Sequence, residues 1–149
     1  LVVSAPDEDL EGDPTITDPS KVERLVLCSG KIRWELYAMR EQLGLAGKVA
    51  ILSLERLYPL PAKELAGELS KYRHVTDVRY AQDEPSNQGA WWFMRLYLAD
   101  AIRKYLPDYN LVMTPVTRPE ASAPSVGSHK LHEEQQAALL KAALASDGE

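Results

Sequence analysis

Side chains able to do chemistry are densest between residues 82 and 92. This stretch holds two carboxylates, three amides and two indoles, in the order Gln82, Asp83, Glu84, Pro85, Ser86, Asn87, Gln88, Gly89, Ala90, Trp91, Trp92. Paired carboxylates perform acid–base chemistry when their environments differ, but Asp83 and Glu84 are adjacent, and no histidine or lysine in the stretch completes a dyad. Because tryptophan is enriched at interfaces, the stretch favours an interface or domain contact. A plain structural loop and a ligand site are the alternatives.

A second candidate site is the triplet Ser29-Gly30-Lys31, which follows a predicted strand and opens a predicted helix. Free N–H groups at the amino terminus of a helix bind anions, and Lys31 adds a positive charge. The further glycines of a phosphate-binding or dinucleotide-binding loop are missing from the sequence. The triplet is therefore either an anion-binding turn or an ordinary tight turn.

His129 and His132 lie three residues apart at the start of the last predicted helix. This spacing lets two imidazoles meet one metal ion, but the third ligand would have to come from Glu133 or Glu134. We interpret the pair as ordinary helix-start histidines. The single cysteine, Cys28, is interpreted as a buried, inert thiol rather than a reactive one. The residues alone predict no catalytic centre and no metal site.

Apolar periodicity predicts four strands, at 25–28, 49–54, 78–82 and 111–116, that alternate with four helices, at 32–43, 61–72, 94–105 and 129–145. Such alternation is typical of an α/β fold in which a mostly parallel sheet lies between two layers of helices, a three-layer αβα arrangement. Pro115 marks the last strand as ending there or lying at a sheet edge. Functional loops lie at the carboxyl ends of the strands, here at 29–31, 83–91 and 118–128.

The loop 118–128 is predicted to be an ordered docking surface, because its prolines reduce the entropy lost on ordering. Arg118 is its expected anchor, since a guanidinium can hold a carboxylate or several carbonyls. Ser125 is one of the hydroxyls that the loop offers. The alternative is an ordinary flexible connection.

The 149 residues fit one domain with a formal net charge of −5, which argues against nucleic-acid and anionic-membrane partners. Residues 1–20 are acidic and contain proline, so they are predicted to be a linker from a preceding domain. Residues 21–149 are predicted to form the α/β domain. A single cysteine favours a reducing compartment.

Four motifs occur in a fixed order between residues 19 and 140: Pro19-Ser20-Lys21-Val22 with Leu27-Cys28-Ser29-Gly30-Lys31; Glu55-Arg56-Leu57-Tyr58-Pro59-Leu60-Pro61; Gln82 through Trp91; and Arg118-Pro119 with the run Ser122 to Ser128, His132 and Glu134-Gln135-Gln136. Together they resemble the carboxy-terminal domain of the thiamine-diphosphate-dependent decarboxylase component of 2-oxoglutarate dehydrogenase. The resemblance is closest to the bacterial, actinomycete-like members.

The resemblance implies a transketolase-type carboxy-terminal fold in which one strand can be antiparallel. It implies that the domain is part of a larger parent enzyme in the bacterial cytoplasm. This parent is implied to be a homodimer that binds thiamine diphosphate and magnesium. The parent decarboxylates 2-oxoglutarate and passes the succinyl group to lipoamide on a partner acyltransferase. Its cofactor lies between the two preceding domains. This domain is therefore expected to brace the dimer and shape access, with no catalytic residue or cofactor of its own.

Contacts with the preceding domains or the second subunit are expected from seven residues: Glu84, Asn87, Gln88, Trp91, Arg118, Ser125 and His132. Two other functions stay open on the sequence. One is a free-standing nucleotide- or anion-binding module that uses Ser29, Gly30 and Lys31. The other is a protein-interaction module that uses the two neighbouring tryptophans.

Overall fold

Strands and helices alternate along the chain in the computed structural model, which describes residues 10–120 and 129–145. The strands are β1 Leu10–Glu11, β2 Arg24–Cys28, β3 Val49–Leu54, β4 Asp77–Pro85 and β5 Met113–Arg118. The α-helices are α1 Ile32–Gln42, α2 Ala62–Leu69, α3 Trp91–Arg103 and α4 His129–Leu144. Single 3-10 turns occur at Pro19–Lys21 and Ser70–Tyr72. None of these helices is both long and apolar enough to cross a membrane.

The strands form one sheet in the order β1-β3-β2-β4-β5. β2 lies at its centre, parallel to β3 and β4, while β5 is parallel to β4 and β1 is antiparallel to β3. Every residue of β2 and β3 is buried, as expected for parallel strands covered on both faces. The predicted α/β class with a mostly parallel sheet is confirmed.

Two clusters of buried apolar side chains lie in the domain. One contains Leu65 of α2 and Met94 of α3, and the other contains Leu36 of α1 and Leu140 of α4. Successive side chains of a strand point to opposite faces, and the neighbours Leu25 and Val26 of β2 belong to different clusters. The sheet is therefore packed between two helical layers.

Residues 10–13, within the predicted linker, contact the α/β domain, while the role of residues 1–20 as a connection from a preceding domain stays a prediction. Leu10 and Glu11 pair with the carboxyl end of β3. Asp13 is buried, and its carboxylate accepts hydrogen bonds from the guanidinium of Arg40 and from the backbone N–H of Ile51. Acidic composition suggested a solvated segment, but this one carboxylate is enclosed and paired.

Two buried arginines hold the carboxyl end of α4 against the sheet. Arg24 donates to the carbonyls of Leu144 at 2.7 Å and Ala145 at 2.5 Å, and Arg79 donates to the carbonyl of Ala142. Partial burial alone would raise the pKa of Asp77, but hydrogen bonds from Arg79 and Arg24 outweigh it and lower the pKa below its ordinary value. The last turn of a helix leaves carbonyls without intrahelical donors, and cations stabilise that end.

We expect Arg24→Met to lower the free energy of unfolding by about 2–3 kcal/mol, because charged hydrogen bonds are lost and helix carbonyls stay buried. Urea denaturation followed by circular dichroism measures the loss. The control is Arg73→Met, the same change at an exposed position, which should cost less than about 0.5 kcal/mol. Equal losses in the two variants would show that the arginine contacts with α4 do not stabilise the domain.

Candidate functional site

A cleft of about 670 Å³ opens at the carboxyl ends of β2, β3 and β4. Its walls are the Ser29-Gly30-Lys31 turn, the segment after β3, and the end of β4 with the loop that follows; they include Tyr58, Asp83, Glu84 and Gly89. The fold therefore brings together two of the candidate sites predicted from the sequence. It adds a third wall, from the Glu55–Pro61 motif, that the sequence analysis did not assign to a site.

The side chain of Gln82 shapes the loop that ends this cleft. Its amide nitrogen donates to the carbonyls of Pro85 at 2.9 Å and Gln88 at 2.8 Å, and its amide oxygen accepts from the N–H of Trp91 at 3.0 Å. One buried side chain thus replaces the backbone partners that the turn lacks. The sequence alone predicts no role for Gln82. An amide directly before a polar turn is the signal that was available.

Gly89→Ala should lower the free energy of unfolding by about 1–3 kcal/mol, because two features of the loop require glycine. Gly89 has φ +70°, and a Cβ there would lie 2.9 Å from the amide oxygen of Gln82. The matched control is Gly67→Ala within α2, where a Cβ would meet nothing within 4 Å, so that variant should be neutral or slightly stabilising. Thermal unfolding of both variants measures the difference; a Gly89→Ala variant as stable as Gly67→Ala would contradict it.

The two neighbouring tryptophans have opposite environments. Trp91 is only 6% exposed, and its ring stacks on that of Tyr80 with centroids 6.1 Å apart. Trp92 is 46% exposed, with the guanidinium of Arg95 lying 5.0 Å from its ring centroid. The indole of Trp91 thus packs in the core of this domain, while its predicted contact with another domain stays a prediction. Helix α3 begins at Trp91, three residues earlier than predicted.

The hydrogen-bond partners of Arg118 that the structure shows lie within the domain, and its predicted role as the anchor of a docking loop stays a prediction. It is buried, and its guanidinium donates to the amide oxygens of Gln135, at 3.2 Å, and Gln136. The amide nitrogen of Gln136 in turn donates to the carboxylates of Asp83, at 2.8 Å, and Glu35. This network joins the ends of β4 and β5 to α1 and α4. It uses the motif Glu134-Gln135-Gln136, whose function the sequence analysis left unassigned.

The other predicted contact residues are distributed unevenly. Glu84 and Asn87 are exposed at the cleft loop, and Gln88 is half-buried. His132 is exposed in the first turn of α4. Ser125 and the greater part of the predicted docking loop, residues 121–128, lie outside the described residues, so the predicted order of that loop stays a prediction.

The cleft has an acidic rather than a basic lining, which does not fit a diphosphate group. Lys31 is its one basic lining residue among those described, whereas Asp83 and Glu84 contribute carboxylates. Across residues 10–120 and 129–145, no three histidine, cysteine, aspartate or glutamate side chains come together as a metal site. Burial raises the pKa of Cys28 to about 12, so its thiol stays protonated at neutral pH and is a poor nucleophile.

Comparison with known proteins assigns the fold and the family. The model of the family described as 2-oxoglutarate dehydrogenase C-terminal matches residues 5–144. The chain is 40% identical over 126 residues to the 2-oxoglutarate dehydrogenase E1 component of Cupriavidus necator, which covers 85% of this chain and 13% of that protein. It is 41% identical over 125 residues to the E1 component of Brucella anthropi, covering 84% and 12%.

A solved structure of a split-gene transketolase, described as an inactive β4 tetramer, superposes with a TM-score of 0.50 at 15% sequence identity. The match covers 82% of this chain and 39% of that one, and it supports the transketolase-type fold alone. The chain spans only 12–13% of the two E1 components that it matches, whereas the family model covers nearly all of it. The chain belongs to the 2-oxoglutarate dehydrogenase C-terminal family.

Proposed function

We propose that this chain is the carboxy-terminal, non-catalytic domain of a cytoplasmic, bacterial 2-oxoglutarate dehydrogenase that depends on thiamine diphosphate and magnesium. The observation that carries the proposal is the family match over residues 5–144, together with relatives about 40% identical that are named E1 components. The parent would decarboxylate 2-oxoglutarate and transfer the succinyl group to a lipoyl acyltransferase. This domain would brace the homodimer and shape access to a cofactor that the preceding domains hold.

The direction in which the chain enters the domain supports a contact with those preceding domains. Leu10 pairs with Leu54, the last residue of β3, in an antiparallel arrangement. The polypeptide therefore enters the described domain at the carboxyl edge of the sheet, the edge at which the cleft opens. Loops at this edge carry function in open α/β sheets. The exposed polar residues Glu84 and Asn87 and the half-buried Gln88 are suited to a contact there.

Charge reversal at the cleft tests this proposal in the full-length parent. Lys31→Glu changes an exposed residue of the cleft wall, and Lys48→Glu makes the same change at an exposed residue before β3, at the opposite edge of the sheet. We expect the first variant to lower 2-oxoglutarate-dependent succinyl transfer and the melting temperature of the parent, and the second to leave both unchanged. Neither variant should alter the stability of this chain alone. Equal behaviour of the two parents would refute a domain contact at the cleft.

The chain by itself is expected to give no measurable heat of binding with thiamine diphosphate and magnesium. The reason is the pair of cleft carboxylates, Asp83 and Glu84, which repel a diphosphate that only Lys31 of the described lining could neutralise. Isothermal titration calorimetry checks this, with the full-length parent as the positive control. Magnesium-dependent binding at micromolar concentration would show that the domain holds part of the cofactor.

A further inference from the structure

Another cleft, of about 700 Å³, opens at the amino edge of the sheet, where the parallel strands begin. β2, β3 and β4 start in register, because Arg24 pairs with both Val49 and Asp77. Neighbouring strands of a sheet lie about 4.8 Å apart. The residues directly before the three strands are therefore neighbours, and all of them line this space, hereafter the amino-edge cleft: Glu23, Lys48 and Thr76.

The charge of the amino-edge cleft is opposite to that of the cleft at the carboxyl edge. Lys21, Lys48 and His74 line it, and Glu23 is the one carboxylate of its described lining. Both lysines are exposed, and neither forms an ion pair among the residues that the structure describes. The carboxylate of Asp18 instead caps the 3-10 turn to which Lys21 belongs. On a chain with a formal net charge of −5, two lysines without ion pairs in one cleft favour an anionic ligand.

Further hydrogen-bonding groups accompany the two lysines. Nε2 of His74 lies 2.9 Å from the carbonyl oxygen of Val22. Because a carbonyl only accepts, Nε2 carries the proton in this contact, and Nδ1 is left for a second interaction. The hydroxyl of Thr76 forms no hydrogen bond within the described part of the chain. Ammonium and hydroxyl donors around one space suit an oxyanion, since hydrogen bonds from charged donors to anionic oxygens are the strong ones.

We propose that the amino-edge cleft binds inorganic phosphate. This ion carries more than one negative charge at neutral pH, which the two lysines neutralise, and lysine is a common phosphate ligand. Its tetrahedral oxygens accept from both ammonium groups and from the hydroxyl of Thr76 together. Inorganic phosphate also keeps at least one proton at neutral pH, and its remaining hydroxyl donates to the carboxylate of Glu23. A sulfate ion has the same shape and no proton to donate, so Glu23 repels it.

Proton NMR of the histidine rings tests the proposal, because His74 lies in the cleft, whereas His129 and His132 lie on α4. Phosphate added at constant pH and ionic strength should shift the His74 resonance, identified with His74→Gln, along a curve that saturates at millimolar concentration. Lys48→Gln should weaken binding about tenfold, the effect of losing one charged hydrogen bond. The matched control is Lys63→Gln, at an exposed position in the first turn of α2, which should bind like the wild type. A shift that does not saturate, or that is equal in the three histidines, would overturn the proposal, as would unchanged binding by Lys48→Gln.

Sulfate tests the selectivity of the cleft. The wild-type chain should bind sulfate several-fold more weakly than phosphate, and Glu23→Gln should remove the difference, because an amide donates to either ion. Equal affinity of the wild-type chain for the two ions would overturn the assignment to phosphate. The comparison of Lys31→Glu with Lys48→Glu in the parent is made in phosphate-free buffer, so that the amino-edge cleft does not contribute to it.

Discussion

Asp13→Ala is expected to lower the free energy of unfolding by about 3–5 kcal/mol, because it breaks a buried ion pair and leaves one charge without its partner. The side chain of Asp13 is fully enclosed and that of Arg40 is 5% exposed. The carboxylate also accepts the backbone N–H groups of Thr15 at 3.0 Å and Ile51 at 2.9 Å. One side chain therefore ties the entering segment to both α1 and β3.

Urea denaturation of the variant should be compared with that of Asp18→Ala, which removes an exposed carboxylate that caps a single 3-10 turn. That control should cost about 1 kcal/mol or less. In the double variant Asp13→Ala with Arg40→Met, part of the lost stability should return, because the unpaired buried charge is removed as well. If the double variant is less stable than Asp13→Ala alone, the unpaired charge of Arg40 is not the cause of the loss.

Trp91→Ala is expected to destabilise the chain by about 3–5 kcal/mol, the usual cost of removing a buried indole. The ring is almost fully buried and stacks on Tyr80, so its removal leaves a cavity between α3 and β4. The matched control is Trp92→Ala, where a half-exposed ring is lost from the next position. Its cost should be about 1 kcal/mol or less.

The unfolding of both tryptophan variants should be followed by far-UV circular dichroism, because each substitution changes the tryptophan fluorescence of the chain. Equal losses in the two variants would mean that Trp91 does not anchor the core. A loss for Trp91→Ala that appears in the full-length parent and not in this chain would support the predicted domain contact instead.

The environment of Trp91 could have been predicted from helical periodicity alone. Trp91 lies three residues before Met94 and seven before Leu98, and all three are buried on one face of α3. Trp92 does not lie on that face. The helix is nevertheless predicted to begin at Met94, because the residues before it have the composition of a polar loop. The helical periodicity of the buried residues in fact continues into this polar stretch.

The layered α/β fold was predictable, because the buried strands β2 and β3 consist of continuous apolar runs and helices follow each of them. The polar networks were not predictable. Asp13 is one carboxylate among several in the first twenty residues, and only the three-dimensional approach of Arg40 distinguishes it. Likewise, the chemistry of Arg118 predicts that its guanidinium holds several oxygen atoms, but its partners Gln135 and Gln136 lie on a helix whose position depends on strand order.

The two edges of the sheet differ from its centre in a way that bears on aggregation. The structure describes β1 at one edge over Leu10–Glu11, and β5, at the other edge, contains Pro115, which has no backbone N–H to donate. Exposed edge strands act as templates for pairing with other chains, and short strands and proline are the usual means of blocking this. We therefore expect that concentrated or partly unfolded chains do not readily assemble by adding strands to the edges of the sheet. Replacing Pro115 with valine would create a more uniform edge strand on which fibrils could nucleate.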